Sequence, residues 1–258
     1  MKNIVKKAKC KNEFNKTQMN CENALKLEEF SKYLLLASEL SKVTFNTLIQ
    51  KEKFLFFLNV YQAMYMHYII DGYKGTLVEH SFFKKIKSLI VNEGSKFEYN
   101  ISGQNLSLEI IKHVIFRRNK KPNNCYFKLA KESDPIAKIL NLEEDPRVLL
   151  VLKDYPEVPE KFYIFKNVNT LNKDLNQIAD SVLNSAFFYD SDNSEILIPM
   201  VFSTYKSDFG KNDLSIIKWI FNNSNLKIEE NFEEFLSKIK NKIIQIRYRE
   251  NDPEYVLS

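Results

Sequence analysis

At 258 residues with 44% hydrophobic content the chain can bury a contiguous core, and five Gly and seven Pro are too few to mark a linker between halves. The formal charge of +5 is concentrated in Lys2, Lys6, Lys7, Lys9, Lys11 and Lys16, opposed there only by Glu13. The rest of the chain is neutral and lacks the phosphate-neutralising surface on which nucleic-acid affinity depends, so no nucleic-acid partner is expected. Cys10, Cys21 and Cys125 are too few and too scattered for a disulfide framework or a zinc site, which fits a reducing, cytoplasmic setting.

We expect residues 1–22 to form a basic, solvated and disordered leader, 23–250 a single domain, and 251–258 a tail. No uninterrupted apolar segment in the leader suggests a signal peptide. Residues 1–16 leave open one weak option, contact with an anionic membrane surface. From Ala24 to Leu40 the spacing of Leu27, Phe30, Leu34 and Leu40 predicts an opening helix with these residues inward. Phe54 to Gly72 is apolar all round except for Asn59, Gln62 and His67, the pattern of a helix enclosed by its own protein. Those polar residues interrupt a run already shorter than the roughly 20 apolar residues a bilayer needs, so no transmembrane segment is expected. We place this buried helix, about 50–70, at the centre of the fold.

Thr76 and Glu79 make a capping box before an amphipathic helix that carries His80 and runs to Gly94. FEYNISGQNLSL reads as a hairpin turning at Ser102 and Gly103, and Ser107 as the N-cap of a helix through Leu108, Ile111, His113 and Ile115, ending near Arg117. A basic loop, RRNKKPNNC, follows. Asp134 and Asp145 each precede a proline, a turn signal, with a short helix expected between them. The apolar run Val148 to Leu152 reads as a strand buried on both faces, and Phe162 to Phe165 as another. Thr170 opens a helix to about Phe187 with Leu171, Leu175, Ile178 and Val182 inward. Ile196 to Ile198 reads as a strand. Met200–Phe209, Leu214–Phe221 and Phe232–Ile239 read as short helices, and Ile243–Tyr248 as a last strand or extended tail. The fold class is therefore α+β, mostly helical with a few short strands.

Four blocks of these residues resemble, in order, the domain of unknown function 547 (DUF547) family. In FLFFLNVYQAMYMHYIIDGY the matching residues are Asn59, Tyr61, His67 and Gly72. In NISGQNLSLEIIKHVIFRRN they are Leu108, Ile111, His113 and Arg117, with Lys112 where the family usually has an acid and Phe116 where it has leucine. In DPRVLLVL they are Asp145, Pro146, Arg147 and Val148, and in ILIPMVFSTYKSDFG they are Pro199, Phe202, Tyr205, Asp208, Phe209 and Gly210. The resemblance spans about residues 25–250. The chain departs from the family at Leu149, where many members carry histidine. It departs again in KDYPEVPEK, where Val158 or Pro159 stands in place of a cysteine, and in the closing element, which here is Tyr248 to Asp252. The resemblance implies no established activity.

Asn59, His67, His113, Arg117, Asp145 and Arg147 form the candidate polar pocket. A hydrolase-like site there would use a histidine as base, but the family nucleophile is absent. Cys125 lies in a basic loop that would lower a thiol pKa, yet nothing in the sequence orients it toward a histidine. The bland alternative makes His67 and His113 neutral, hydrogen-bonded core residues and has Asn59 pin a neighbouring backbone. Arg117 and Arg147, with Asp145 and Asp208, would then make buried ion pairs. His67, His113 and Asp145 supply no ligand pair at i, i+3 or i, i+4 on one helix, and no glycine-rich phosphate loop occurs, so neither a metal nor a cofactor is expected. The expected role is a non-catalytic interaction or scaffolding module with an unidentified protein partner. The alternative is a hydrolase or transferase using His67 and His113.

Overall fold

The computed structural model describes residues 9–11, 17–19, 21–72, 97–121, 127–131, 134, 136, 142–152 and 163–249. The helix expected from Thr76 to Gly94, most of the segment between the two Asp-Pro pairs, Cys125, and the KDYPEVPEK loop beyond its Lys153 neighbour Leu152 lie outside these residues. Helices predominate and the strands are short, an α+β fold. The chain gathers into two compact units, residues 1–144 with 152–168, and residues 145–151 with 169–258.

In the first unit, β1 (Lys9–Lys11) pairs antiparallel with β2 (Thr17–Met19), inside the stretch expected to be a solvated leader. Two helices follow, α1 (Cys21–Leu25) and α2 (Glu28–Ser38), and then a short 3₁₀ turn, Glu39–Lys42. Of the apolar face expected here only Phe30 is fully buried, and Leu34, Leu35 and Leu36 are exposed at 42, 69 and 70%. The long helix α3 (Gln50–Gly72) contains the central segment, and no residue from Glu52 to Ile70 is exposed. Phe57, Leu58, Met64, Met66 and Ile70 are completely enclosed, which is why the segment has no polar stripe.

The hairpin is as expected: β3 (Glu98–Ile101) pairs with β4 (Gln104–Ser107), and Ser102 and Gly103 turn with φ of 54° and 77°. Positive φ at both central residues matches the twist of a two-residue hairpin, and Gly103 adopts it without steric cost. Ser107 Oγ accepts the Ile110 N–H at 3.2 Å, so the expected N-cap is present. The helix that follows is not an ordinary one. Ile110–Phe116 is π-helical, and its end is closed by Arg117 N–H to Lys112 O and Asn119 N–H to Val114 O, both at 3.1 Å and five residues apart. Arg118 and Asn119 leave it with positive φ, and the Asn119 side chain bonds both the N–H and the carbonyl of Ala130.

The run Val148 to Leu152, of which Val148–Val151 belong to the second unit, corrects the sequence reading. Val148–Val151 is a turn of helix, α4, with all four side chains buried. Complete burial was anticipated, but the hydrogen bonds are local. Asp145, Pro146 and Arg147 carbonyls take the N–H groups of Val148, Leu149 and Leu150 at 3.0–3.1 Å, and Asp145 Oδ1 accepts the Arg147 N–H. An Asp-Pro start supplies a helix nucleus that apolar periodicity over five residues cannot reveal. The next helix, α5 (Leu171–Ala186), buries Leu171, Leu175, Ile178, Ala179 and Leu183; Leu183 takes the inward position expected of Val182.

The sheet has β6 (Glu195–Pro199) in the middle, antiparallel to β5 (Phe188–Asp190) and parallel to β7 (Gln245–Arg249). Between β6 and β7 run α6 (Val201–Thr204), α7 (Lys206–Phe209), α8 (Asp213–Asn222) and α9 (Phe232–Lys240), the helical crossover that a parallel pair requires. Asn212 and Asn231 cap α8 and α9 by accepting backbone N–H groups. Gly210 precedes α8 with extended φ, so its conformation does not require glycine; a Cβ there would lie 2.5 Å from the Cβ of Ser215.

Candidate functional site

The candidate residues of the first unit fall into three hydrogen-bonded groups. The first lies on the π-helix and the residue pair before it. Glu109, Lys112, His113 and Arg117 come together, and the last three are almost completely buried. His113 Nε2 lies 2.9 Å from Glu109 Oε2, His113 Nδ1 lies 2.5 Å from Arg117 Nη1, and Lys112 Nζ lies 3.9 Å from Glu109 Oε1. Burial would raise the Glu109 carboxyl, but Lys112, the His113 hydrogen bond and Arg117 outweigh it and hold the group down at about 2. Burial also lowers His113, assisted by Lys112 and Arg117 and opposed by Glu109. His113 is therefore neutral, with its proton on Nε2 facing the carboxylate and its Nδ1 lone pair facing the guanidinium. Both ring nitrogens are engaged with groups of the same short helix.

The second group is a pair of amides on α3. Asn59 Nδ2 donates to the Phe165 carbonyl at 2.8 Å, and Asn59 Oδ1 accepts the Phe165 N–H at 3.0 Å. One turn on, Gln62 Oε1 accepts the Tyr163 N–H at 2.9 Å. The expected strand at Phe162–Phe165 is thus corrected. Its described part, from Tyr163 on, is not in a sheet, yet alternate residues present backbone groups to one side as a strand would. Two helical side-chain amides take the place of the neighbouring strand. Gln62 Nε2 is buried with no acceptor among the described residues.

The third group surrounds His67. Its Nδ1 lies 2.6 Å from Tyr99 Oη; Tyr99 Oη in turn meets Tyr33 Oη, and Tyr33 donates to the Ala63 carbonyl at 3.2 Å. The rings of Phe30, Tyr33, Phe97 and Tyr99 stand around the imidazole at centroid distances of 5.0–5.8 Å, mostly edge to face. Burial, with Tyr99 beside it, pushes the Tyr33 hydroxyl far above the ordinary tyrosine range, so it remains protonated.

Asp145 and Arg147 belong to the second unit and pair with each other. Arg147 Nε and Nη2 bond the two carboxylate oxygens, the former at 2.8 Å, while Nη1 reaches Asn176 on α5. The fork of the arginine thus fixes the Asp-Pro turn onto α5. Of the charged neighbours of His113, Arg117 stood in the candidate pocket, while Glu109 and Lys112 were missed, although Glu109–His113 and Lys112–Glu109 have i, i+4 and i, i+3 spacing. Tyr33 and Tyr99 carried no signal, being far from His67 in sequence and contributed by different elements.

Among the described residues no group of three or more His, Cys, Asp or Glu is placed to hold a metal ion, and no helix is long and apolar enough to cross a membrane. No curated protein and no solved structure matches the chain. A family model described as "Protein of unknown function, DUF547" matches residues 45–183, which include the central helix, the hairpin with its π-helix, and the Asp145–Arg147 turn. The match covers more than half of the chain, and the chain belongs to the DUF547 family.

Proposed function

We propose that this chain is a non-catalytic member of its family, an interaction or scaffolding module in which the polar residues of the candidate pocket hold the fold. The observation that carries this reading is the engagement of both nitrogens of His113 and both ends of the Asn59 amide with protein groups. A general base needs a nitrogen directed at a substrate proton, and His113 has its lone pair against Arg117. Asp145, the acid of the candidate pocket, is committed to Arg147. Exposed Leu34, Leu35 and Leu36 give such a module apolar surface. A cytoplasmic location fits the cysteine usage and is part of the same reading.

The test is a screen of the purified chain against amide, peptide, ester and acyl-transfer substrates. No turnover above a His113→Gln, His67→Gln double variant is expected. Turnover abolished by Cys125→Ala would overturn the reading. The second reading, a hydrolase or transferase using His67 and His113, is favoured by one observation, the orientation of His67 through Nδ1 by Tyr99, as a base is held by its neighbour. It requires turnover that His67→Gln removes. Recruitment to an anionic membrane surface by residues 1–16 would appear as salt-sensitive vesicle binding lost on deleting them.

A further inference from the structure

The contacts around His67 can be counted in protons. Three contacts lie in series: Ala63 carbonyl to Tyr33 Oη, Tyr33 Oη to Tyr99 Oη, and Tyr99 Oη to His67 Nδ1. A hydrogen bond needs one proton per contact. The carbonyl has none to give, and each tyrosine hydroxyl has one. Two hydroxyl protons cannot serve three contacts, so the third must come from His67 Nδ1. With that proton in place the chain runs one way, from Nδ1–H to Tyr99, from Tyr99 O–H to Tyr33, and from Tyr33 O–H to the Ala63 carbonyl. Without it, one pair of lone pairs is pressed together at hydrogen-bonding distance, at the cost of an unmade bond. Any additional acceptor near either hydroxyl would draw a proton out of the series and make the Nδ1 proton more necessary still.

We propose that this one-way chain holds His67 as the Nδ1–H tautomer, with Tyr99 and Tyr33 as positioning residues, so that Nε2 is the nitrogen that gains and loses a proton or accepts from a hydrogen-bond donor. His113 has the opposite arrangement, its proton on Nε2 and its Nδ1 lone pair against Arg117. The two histidines are therefore opposite tautomers, and a ligand group that addresses His67 is a donor such as a hydroxyl, an amide N–H or an acid. The titratable groups shown against the His67 ring among the described residues are Tyr33 from α2 and Tyr99 from β3; Phe30 and Phe97 complete the ring contacts. Protonation at Nε2 leaves the Nδ1–H bond to Tyr99 in place, so the chain joining α2, α3 and β3 survives the titration of His67. The assignment is independent of whether the protein is an enzyme.

The test is long-range ¹H–¹⁵N correlation spectroscopy of the imidazoles in the full chain, with His67 and His113 assigned through His67→Gln and His113→Gln. For His67 the expected result is a protonated Nδ1 and a lone-pair Nε2 in the neutral ring, with the Nε2 resonance moving on acidification and Nδ1 keeping its protonated position. For His113 the two nitrogens are expected reversed. A lone-pair Nδ1 at His67 in the unsubstituted protein overturns the proposal, and that measurement needs no variant. Tyr33→Phe, one residue removed from the imidazole, is expected to release the lock and give His67 a mixture of tautomers, because the Tyr99 hydroxyl no longer has to donate to Tyr33 and can donate to Nδ1 instead. Retention of pure Nδ1–H in a folded Tyr33→Phe protein would also overturn it.

Discussion

His113 and His67 are both histidines among buried neighbours, but their surroundings differ in kind. Around His113 the described polar partners are ionic and local, within nine residues on one stretch of chain, with a π-helix bringing Glu109, Lys112 and Arg117 to the ring. Around His67 they are neutral hydroxyls and aromatic rings from two elements, α2 and β3 with Phe97 before it, each tens of residues away in sequence. The difference bears on what each site can lose. Removing one member of a buried ionic group leaves the others charged and incompletely solvated, whereas removing one member of a neutral chain leaves at most an unmade hydrogen bond.

The largest expected effect is therefore at the ionic site. His113→Leu, which leaves both the Glu109 carboxylate and the Arg117 guanidinium without their hydrogen-bond partner, should destabilise by about 3 kcal/mol or more, measured by urea unfolding. A loss no larger than that of His67→Leu would end the contrast. Between them stands Asn59→Leu, which orphans the N–H and the carbonyl of Phe165 and should cost about 1–3 kcal/mol, again more than His67→Leu. Thermal melts with the reverse order would show that the aromatic cluster, not the amide clamp, governs stability on α3.

Acid should distinguish the two sites as well. The folded-state pKa of His113 is below its ordinary 6.5 and that of Glu109 is about 2 against 4.5, so in both cases the unfolded chain binds protons first. Stability then rises with pH across these windows, and is lost as pH falls below about 6.5, with Glu109 adding to the loss from about 4.5 down toward 2. His113→Gln should remove the upper part of that decline and leave the lower. An unchanged profile between pH 6.5 and 4.5 would show that His113 does not set it. The smallest effect expected is Ser107→Ala, which removes the acceptor at the start of the helix carrying His113 and should cost about 1 kcal/mol.

Legibility in the sequence followed the range of the interaction. The hairpin, its Ser102–Gly103 turn, the Ser107 cap, the strand at Ile196 and the helices at 213–222 and 232–240 could be read because each depends on residues within a few positions of one another, whereas the single helix expected over Met200–Phe209 is two short ones, Val201–Thr204 and Lys206–Phe209. Where a reading failed, the deciding contacts were of two sorts. Val148–Val151 became a helix through bonds from the Asp145 turn, a local signal that a run of five apolar residues outweighed in the reading. Tyr163 to Phe165 stayed out of a sheet because its backbone groups are met by Asn59 and Gln62, about a hundred residues earlier. Asn59 and His67 each carried a polar signal on an apolar helix, but nothing local showed which partner each would take, whereas His113 has its partners Glu109 and Arg117 four residues to either side.

The sequence by itself determined that α3 is enclosed, because an all-round apolar segment has no stable wet face, and that Asn59, Gln62 and His67 on it would need partners, because an unpaired buried polar group is costly. Only the tertiary structure decided what those partners are: the backbone of Tyr163 and Phe165 for the amides, and Tyr99, with Tyr33 behind it, for the imidazole. The need for a hydrogen bond is a property of one residue and its burial. Its direction depends on which donor or acceptor the rest of the chain folds against it.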